Sequence, residues 1–173
     1  MSIKPPSPSE EFGNGSLTGY TSLTEPVNPV YRQFADRITA DARTAAGAGR
    51  RSDAFDWLTG DWLWSGFPVH FQSTPFGIAT NDDTPFLIHH AASGMWLLVL
   101  TDPSSFGILV GLPLRDGKAA FSGDVTIEGI PARLRQKWTL QDDGSIEIVN
   151  YSFDAGTWEP LDRSRLRRLN PSA

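Results

Sequence analysis

Residues 55–64 read FDWLTGDWLW, and this stretch decides how the rest of the chain is interpreted. Ser52 is suited to cap a short helix, because its hydroxyl can accept a hydrogen bond from a free backbone N–H of the first turn. Gly60 ends the helix, and a strand is expected to begin at Asp61. The apolar side of the predicted helix consists of Phe55, Trp57 and Leu58. The stretch therefore predicts a short helix that leads directly into a β-strand.

Downstream of this stretch, Gly, Pro and Asp recur at the spacing of about 8 to 12 residues that is typical of β-sandwiches and barrels. The candidate strands are 62–72, 76–80, 85–91, 95–101, 106–114, 118–127, 132–140, 145–153 and 159–169. Because the connections are short, neighbouring strands are expected to pair antiparallel. Closure removes exposed edges, so we predict an all-β, up-and-down antiparallel barrel of about 8–10 strands.

One strand displays the expected alternation of a barrel wall. In residues 132–140, every second side chain from Ala132 to Leu140 shares one face, and that face includes Gln136 and Trp138. Arg133, Arg135 and Lys137 fall on the other face, which is typical of a strand with one buried and one solvated side. A barrel of this size can hold one small ligand.

The N-terminal third is expected to be an addition to this barrel. Residues 1–27 are rich in Pro, Ser, Gly and Thr and predict a flexible arm, or else a strap across the domain. Residues 28–49 predict a helix and linker, with Asn28 as N-cap and Pro29 at the first helical position. The apolar stripe of this helix is Val30, Phe34, Ile38 and Ala42. We expect this helix to pack on the outside of the barrel or over one of its ends, and a homodimer contact is the alternative. The barrel itself is predicted to span residues 50–170.

Composition excludes several classes of function. The 173 residues contain no cysteine, so disulfides, thiolate metal sites and cysteine nucleophiles are absent. A net charge of −5 opposes binding of nucleic acid, although Arg163, Arg165, Arg167 and Arg168 form a local basic cluster. We expect these arginines to lie on a solvated outer face, balanced by Asp154, Glu159 and Asp162. No membrane span or signal peptide is visible, which predicts a cytoplasmic protein.

Gly60 and Trp62, placed directly after a helical turn, resemble the opening motif of the lipocalin-like families of the calycin superfamily. Residues 94–97 (GMWL), 121–129 (FSGDVTIEG) and 156–168 (GTWEPLDRSRLRR) are similar to one uncharacterised bacterial branch of that group. The resemblance covers about residues 53–169. It implies a meandering barrel with a ligand cavity and a short helix at its entrance, and it implies no particular reaction, since fold does not fix function.

The resemblance extends distantly to nitrobindin, a family that binds haem through a proximal histidine near the C-terminus. Here the chain ends RLRRLNPSA and its last histidine is His90. Because the residue that would hold the iron is missing, we predict no haem and no other cofactor.

The candidate site residues are polar or aromatic side chains at positions where a barrel interior is expected. His89 and His90 are adjacent in a strand, so only one of them can face a given site. A metal would need His70 and one of them to meet Asp82 or Asp83, and no spacing requires that, so no metal site is predicted. Gln136 and Asn150 are amides at apolar positions and need buried partners or a ligand. The full set of predicted ligand-binding residues is Trp64, His89, His90, Trp96, Gln136, Trp138 and Asn150.

These features predict binding of a small hydrophobic or amphipathic molecule in the barrel, without chemistry. Two alternatives stay open: an enzyme of the calycin type, such as a cyclase, isomerase or hydratase, and an interaction protein with a filled barrel. The size and lining of the barrel interior distinguish the binding prediction from these two alternatives. A cavity of roughly 300 Å³ or more with a mixed lining favours binding, convergent His, Asp and Gln side chains favour an enzyme, and a solid aromatic core excludes a ligand.

Overall fold

The computed structural model describes residues 28–169, so the predicted N-terminal arm of residues 1–27 lies outside the described residues. A helix, α1, spans Pro29–Gly47, and a single 3₁₀ turn spans Asp56–Leu58. The strands are β1 Gly60–Trp64, β2 Phe67–Thr74, β3 Gly77–Thr80, β4 Pro85–His90, β5 Met95–Asp102, β6 Ser105–Gly111, β7 Lys118–Ile127, β8 Ile130–Leu140, β9 Ile146–Asp154 and β10 Thr157–Arg168.

These strands form one closed antiparallel barrel. Each strand pairs with its neighbours in sequence, and β10 pairs with β1 to complete the ring. Closure leaves no open sheet edge, which is how a meander of short hairpins avoids unpaired backbone groups. The predicted fold class, an all-β up-and-down barrel with an N-terminal helix, is confirmed.

The first predicted strand, 62–72, is wrong as a single element, because it is a hairpin of β1 and β2. Ser65 and Gly66 both adopt positive φ, at 49° and 90°, which is the geometry of the tight turns that connect paired strands. Residues 60–64 then pair with residues 67–71. The Ser65-Gly66 dipeptide is a turn signal in the sequence, but the aromatic residues on both sides of it favoured a continuous strand.

Helix α1 lies against the outside of the barrel wall. The Asn28 side chain accepts a hydrogen bond from the Val30 backbone N–H (2.9 Å), which confirms the predicted N-cap. Ile38 and Ala42 are buried against Ile88 and Val99 of β4 and β5. A homodimer contact through this helix stays a prediction. Neither α1 nor any other helix within residues 28–169 is long and apolar enough to cross a membrane.

One end of the barrel is filled by aromatic side chains. Phe55, directly before the 3₁₀ turn, and Leu58, its last residue, are completely buried. The ring of Phe55 contacts Trp96 edge-to-face with centroids 4.8 Å apart, and the indole Nε1–H of Trp62 donates to the Leu58 carbonyl (2.7 Å). Buried aromatic rings contribute much apolar contact area, so this cluster anchors the turn across the barrel end. The cluster also includes Phe71, Phe121 and Trp138.

Candidate functional site

A cavity of about 610 Å³ occupies the opposite half of the barrel. The rings packed around Phe55 fill only the closed end, and toward the other end the side chains line a space that they do not fill. The walls are mostly apolar and come from all parts of the meander. They include Trp64, Val69, Phe71, Phe86, Leu100, Val125, Ile127, Leu134 and Leu161.

Polar side chains in this cavity form a continuous chain of hydrogen bonds. The buried Trp138 Nε1–H donates to Gln136 Oε1 (2.6 Å), and Gln136 Nε2 donates to Asn150 Oδ1 (2.9 Å). Asn150 Nδ2 then donates to Asp162 Oδ1 (2.7 Å). The chain thus runs from the aromatic core to a carboxylate on the cavity wall.

The donor at one end of this hydrogen-bond chain and the acceptor at the other end determine how the two amides are oriented. An indole N–H only donates, so the amide oxygen of Gln136 must face Trp138, and its NH₂ group must face Asn150. An ionised carboxylate only accepts, which is compatible with the NH₂ group of Asn150 facing Asp162. The two amides are therefore oriented by their neighbours, and the chain ends in an acceptor.

Strand pairing explains why these side chains meet. Gln136 on β8 lies opposite Asn150 on β9, and Asn150 lies opposite Asp162 on β10. Directly opposed side chains on one face of an antiparallel pair are close enough to bond. Trp64 lines the same cavity, and its Nε1–H donates to Ser164 Oγ (3.0 Å) across the β1–β10 seam.

The structure brings some of the predicted site residues together and separates others. Trp64, Gln136 and Asn150 line the cavity, and Trp138 lies behind Gln136 as its hydrogen-bond donor. Trp96 is fully buried in the closed end, beyond the cavity lining. The remaining two predicted residues, His89 and His90, are also outside the lining.

His89 belongs to the closed end of the barrel. Its Nδ1 accepts a hydrogen bond from the Ser52 backbone N–H (3.2 Å), and its ring lies 5.1 Å from that of Trp96. Burial lowers the pKa of His89 below its usual value, and the positive charges of Arg51 and His90 lower it further. His89 therefore holds the segment before the 3₁₀ turn as a neutral acceptor.

The other polar residues considered for a metal site are also apart. His90 is exposed and contacts Ser93, and the partly buried His70 has its Nδ1 2.8 Å from Asp61 Oδ1. Asp82 accepts hydrogen bonds from Thr80 Oγ1 (2.8 Å) and the Thr84 N–H (3.3 Å) within its own turn. Burial raises the pKa of Asp82, but these hydrogen bonds outweigh burial and lower it overall. No three His, Asp or Glu side chains within residues 28–169 are grouped to share a metal ion.

Two of the four arginines of the basic cluster form ion pairs on the outer wall. Arg163 contacts Glu147 (3.1 Å), and Arg165 contacts Asp143 (3.0 Å). Arg168 differs, because it turns inward over the ring of Trp62.

Sequence reasoning missed Asp162 as a cavity residue and assigned it to the outer face. The register between β9 and β10 shifts between Pro160 and Asp162, so Leu161 is an extra residue that reverses the alternation. Counting backwards from the buried Leu166 gives the correct side, since Asp162, Ser164 and Leu166 share one face. Because of this bulge, alternation counted from the start of β10 assigns Asp162 to the wrong face.

Comparison with known proteins gives no relative for this chain: its sequence matches no protein-family model and no curated protein. The ten-stranded closed barrel is nevertheless consistent with a lipocalin-like or calycin-like fold.

Proposed function

We propose that this protein binds a small hydrophobic or amphipathic molecule in the open half of its barrel, without chemical conversion. The cavity of about 610 Å³ carries the proposal, because ligand sites for small molecules commonly measure about 300–1,000 Å³. Its lining is also of the expected kind, with apolar walls and a few oriented polar groups.

The interior argues against the two alternatives. A barrel that only presents its outer surface needs no cavity, yet this barrel encloses one of about 610 Å³. An enzyme of the expected type would bring His, Asp and Gln together. Gln136 and Asp162 line the cavity, whereas the three histidines among residues 28–169 do not.

We also propose that the chain belongs to the lipocalin-like calycin barrels. Gly60 and Trp62 begin the first strand directly after a helical turn, and that turn covers one barrel end while the other end opens into the cavity. A distant relationship to nitrobindin is part of this proposal. Haem is not, because no histidine of residues 28–169 lines the cavity.

The direct test is a titration of the purified full chain with N-phenyl-1-naphthylamine, a neutral apolar dye that fluoresces when it leaves water. We expect saturable binding with one site per chain, and native mass spectrometry of protein from its own host should reveal a retained small molecule. Absence of saturable dye binding together with a ligand-free mass spectrum would contradict the proposal.

A further inference from the structure

We infer that the ligand is an amphipath with a cationic, hydrogen-bond-donating headgroup, such as a protonated alkyl amine, and that Asp162 receives this headgroup. This inference rests on the proposed binding function and adds the ligand class to it.

The hydrogen-bond chain determines what the cavity offers to a ligand. Because Trp138, Gln136 and Asn150 each donate toward the next residue, the chain ends at the carboxylate of Asp162. That carboxylate has two oxygens, and Asn150 Nδ2 binds only Oδ1. No hydrogen bond to Oδ2 is present within residues 28–169, so Oδ2 can accept one from a ligand. A headgroup that donates therefore completes the chain at this carboxylate, whereas a headgroup that only accepts finds no donor on Asp162 itself.

The charges of the lining favour the same headgroup. Asp162 and Asp102 are its two charged residues, and no Lys, Arg or His of residues 28–169 is part of it. A fatty-acid carboxylate would lie beside Asp162 and be repelled. A protonated amine would instead form a charge-assisted hydrogen bond, which is stronger than a neutral one.

The rim of the cavity is acidic as well. Five hairpin turns surround the open end, because the strands alternate in direction. Four of these turns contain or adjoin an acidic residue, and none contains a basic one. The acidic residues are Asp82, Asp83, Asp102, Glu128 and Asp154. A rim of one sign attracts ligands of the opposite charge and raises their local concentration.

Matched twelve-carbon compounds separate the headgroup from the tail. Dodecylamine, dodecanol and dodecanoic acid are each used to displace N-phenyl-1-naphthylamine at pH 7 and low salt, below their micelle concentrations. We expect the amine to displace the dye at a concentration about threefold lower than the alcohol, with the acid weakest, since a solvent-accessible ion pair is worth up to about 1 kcal/mol, or about fivefold. Added salt should reduce the advantage of the amine.

Asp162→Asn tests the assigned residue, because its amide oxygen can still accept from Asn150 while the charge is lost. The advantage of amine over acid should shrink by at least about threefold, and circular dichroism should confirm the fold. Asp142→Asn, in the exposed β8–β9 turn at the closed end, is the matched control and should leave the advantage unchanged.

The outcomes distinguish the two proposals. If the acid binds as tightly as the amine, or if Asp162→Asn leaves their ratio unchanged, the headgroup inference is wrong while the binding function stands. If neither the dye nor any of the three compounds binds, and the native mass spectrum shows no retained ligand, both proposals are wrong.

Discussion

The guanidinium of Arg168 lies 4.5 Å from the centroid of the Trp62 ring and joins the last strand of the barrel to the first. The same guanidinium donates to the carbonyl of Thr59 (3.1 Å) and to that of Trp57, in the segment that covers the closed end. A cation over an indole ring and hydrogen bonds to free carbonyls both stabilise this junction. Arg168 thus connects the two strands of the seam to the 3₁₀ turn.

Arg168→Ala is expected to lower the free energy of unfolding by about 1–2 kcal/mol, because the cation–π contact and the hydrogen bonds are lost together. Arg168→Lys should recover only part of this, since an ammonium lacks the planar fork that reaches both carbonyls. Chemical denaturation measures the change. Arg167→Ala, on the opposite face of β10, is the control, and an equal loss in that variant would argue against a specific role for Arg168.

Gln136→Leu is expected to destabilise the protein by about 1–3 kcal/mol, because the buried indole N–H of Trp138 would lose its acceptor. Trp138→Phe removes the donor instead. In a double-mutant cycle, the combined loss should be smaller than the sum of the two single losses by about 1 kcal/mol. Strictly additive losses would mean that the hydrogen bond contributes nothing to stability.

The pattern of strand residues made part of this site predictable. Gln136 and Asn150 are polar at positions that alternation assigns to an apolar face, and the structure places both on the cavity wall. The partners of these amides were not predictable, because they depend on which residues of β8, β9 and β10 lie opposite one another. Strand register is set by turns and bulges, and the bulge at Leu161 has no clear signature in the sequence.

The histidines illustrate a different limit. His89 and His90 were expected to point to opposite faces, and His89 is indeed buried while His90 is exposed. The alternation did not indicate which end of the barrel the two histidines would occupy. Both lie at the end of β4 that meets the filled half of the barrel, where Ser52 and Trp96 surround His89. Which end of a barrel is filled follows from packing between distant residues, so a local pattern does not reveal it.

Acidification is expected to destabilise the protein through His89. Its pKa in the folded state is lowered from the ordinary 6.5, mainly by burial, so the unfolded chain takes up the proton first as pH falls. The free energy of unfolding should therefore be constant above about pH 6.5 and decrease below it. Urea denaturation at pH 7.5 and at pH 5.5 measures this change.

His89→Asn keeps an acceptor for the Ser52 N–H but cannot take up a proton in this range, so the difference between the two pH values should become smaller. His70→Asn is the control, because it leaves the buried His89 in place and the pH dependence should persist. An unchanged pH dependence in His89→Asn would assign the effect to other groups.

Ile127→Trp is expected to weaken dye binding by about tenfold or more, because a large ring at the cavity wall would occupy space that the ligand needs; that loss corresponds to about 1.4 kcal/mol. Ile127 is only partly buried and lies beside the β7–β8 turn, so the fold should tolerate the larger side chain. Val110→Trp adds the same indole to an exposed position of β6 outside the cavity, and its affinity should stay within about twofold of the unmodified protein. Fluorescence titration of all three proteins gives the comparison. Equal affinities would place the dye somewhere other than the barrel interior.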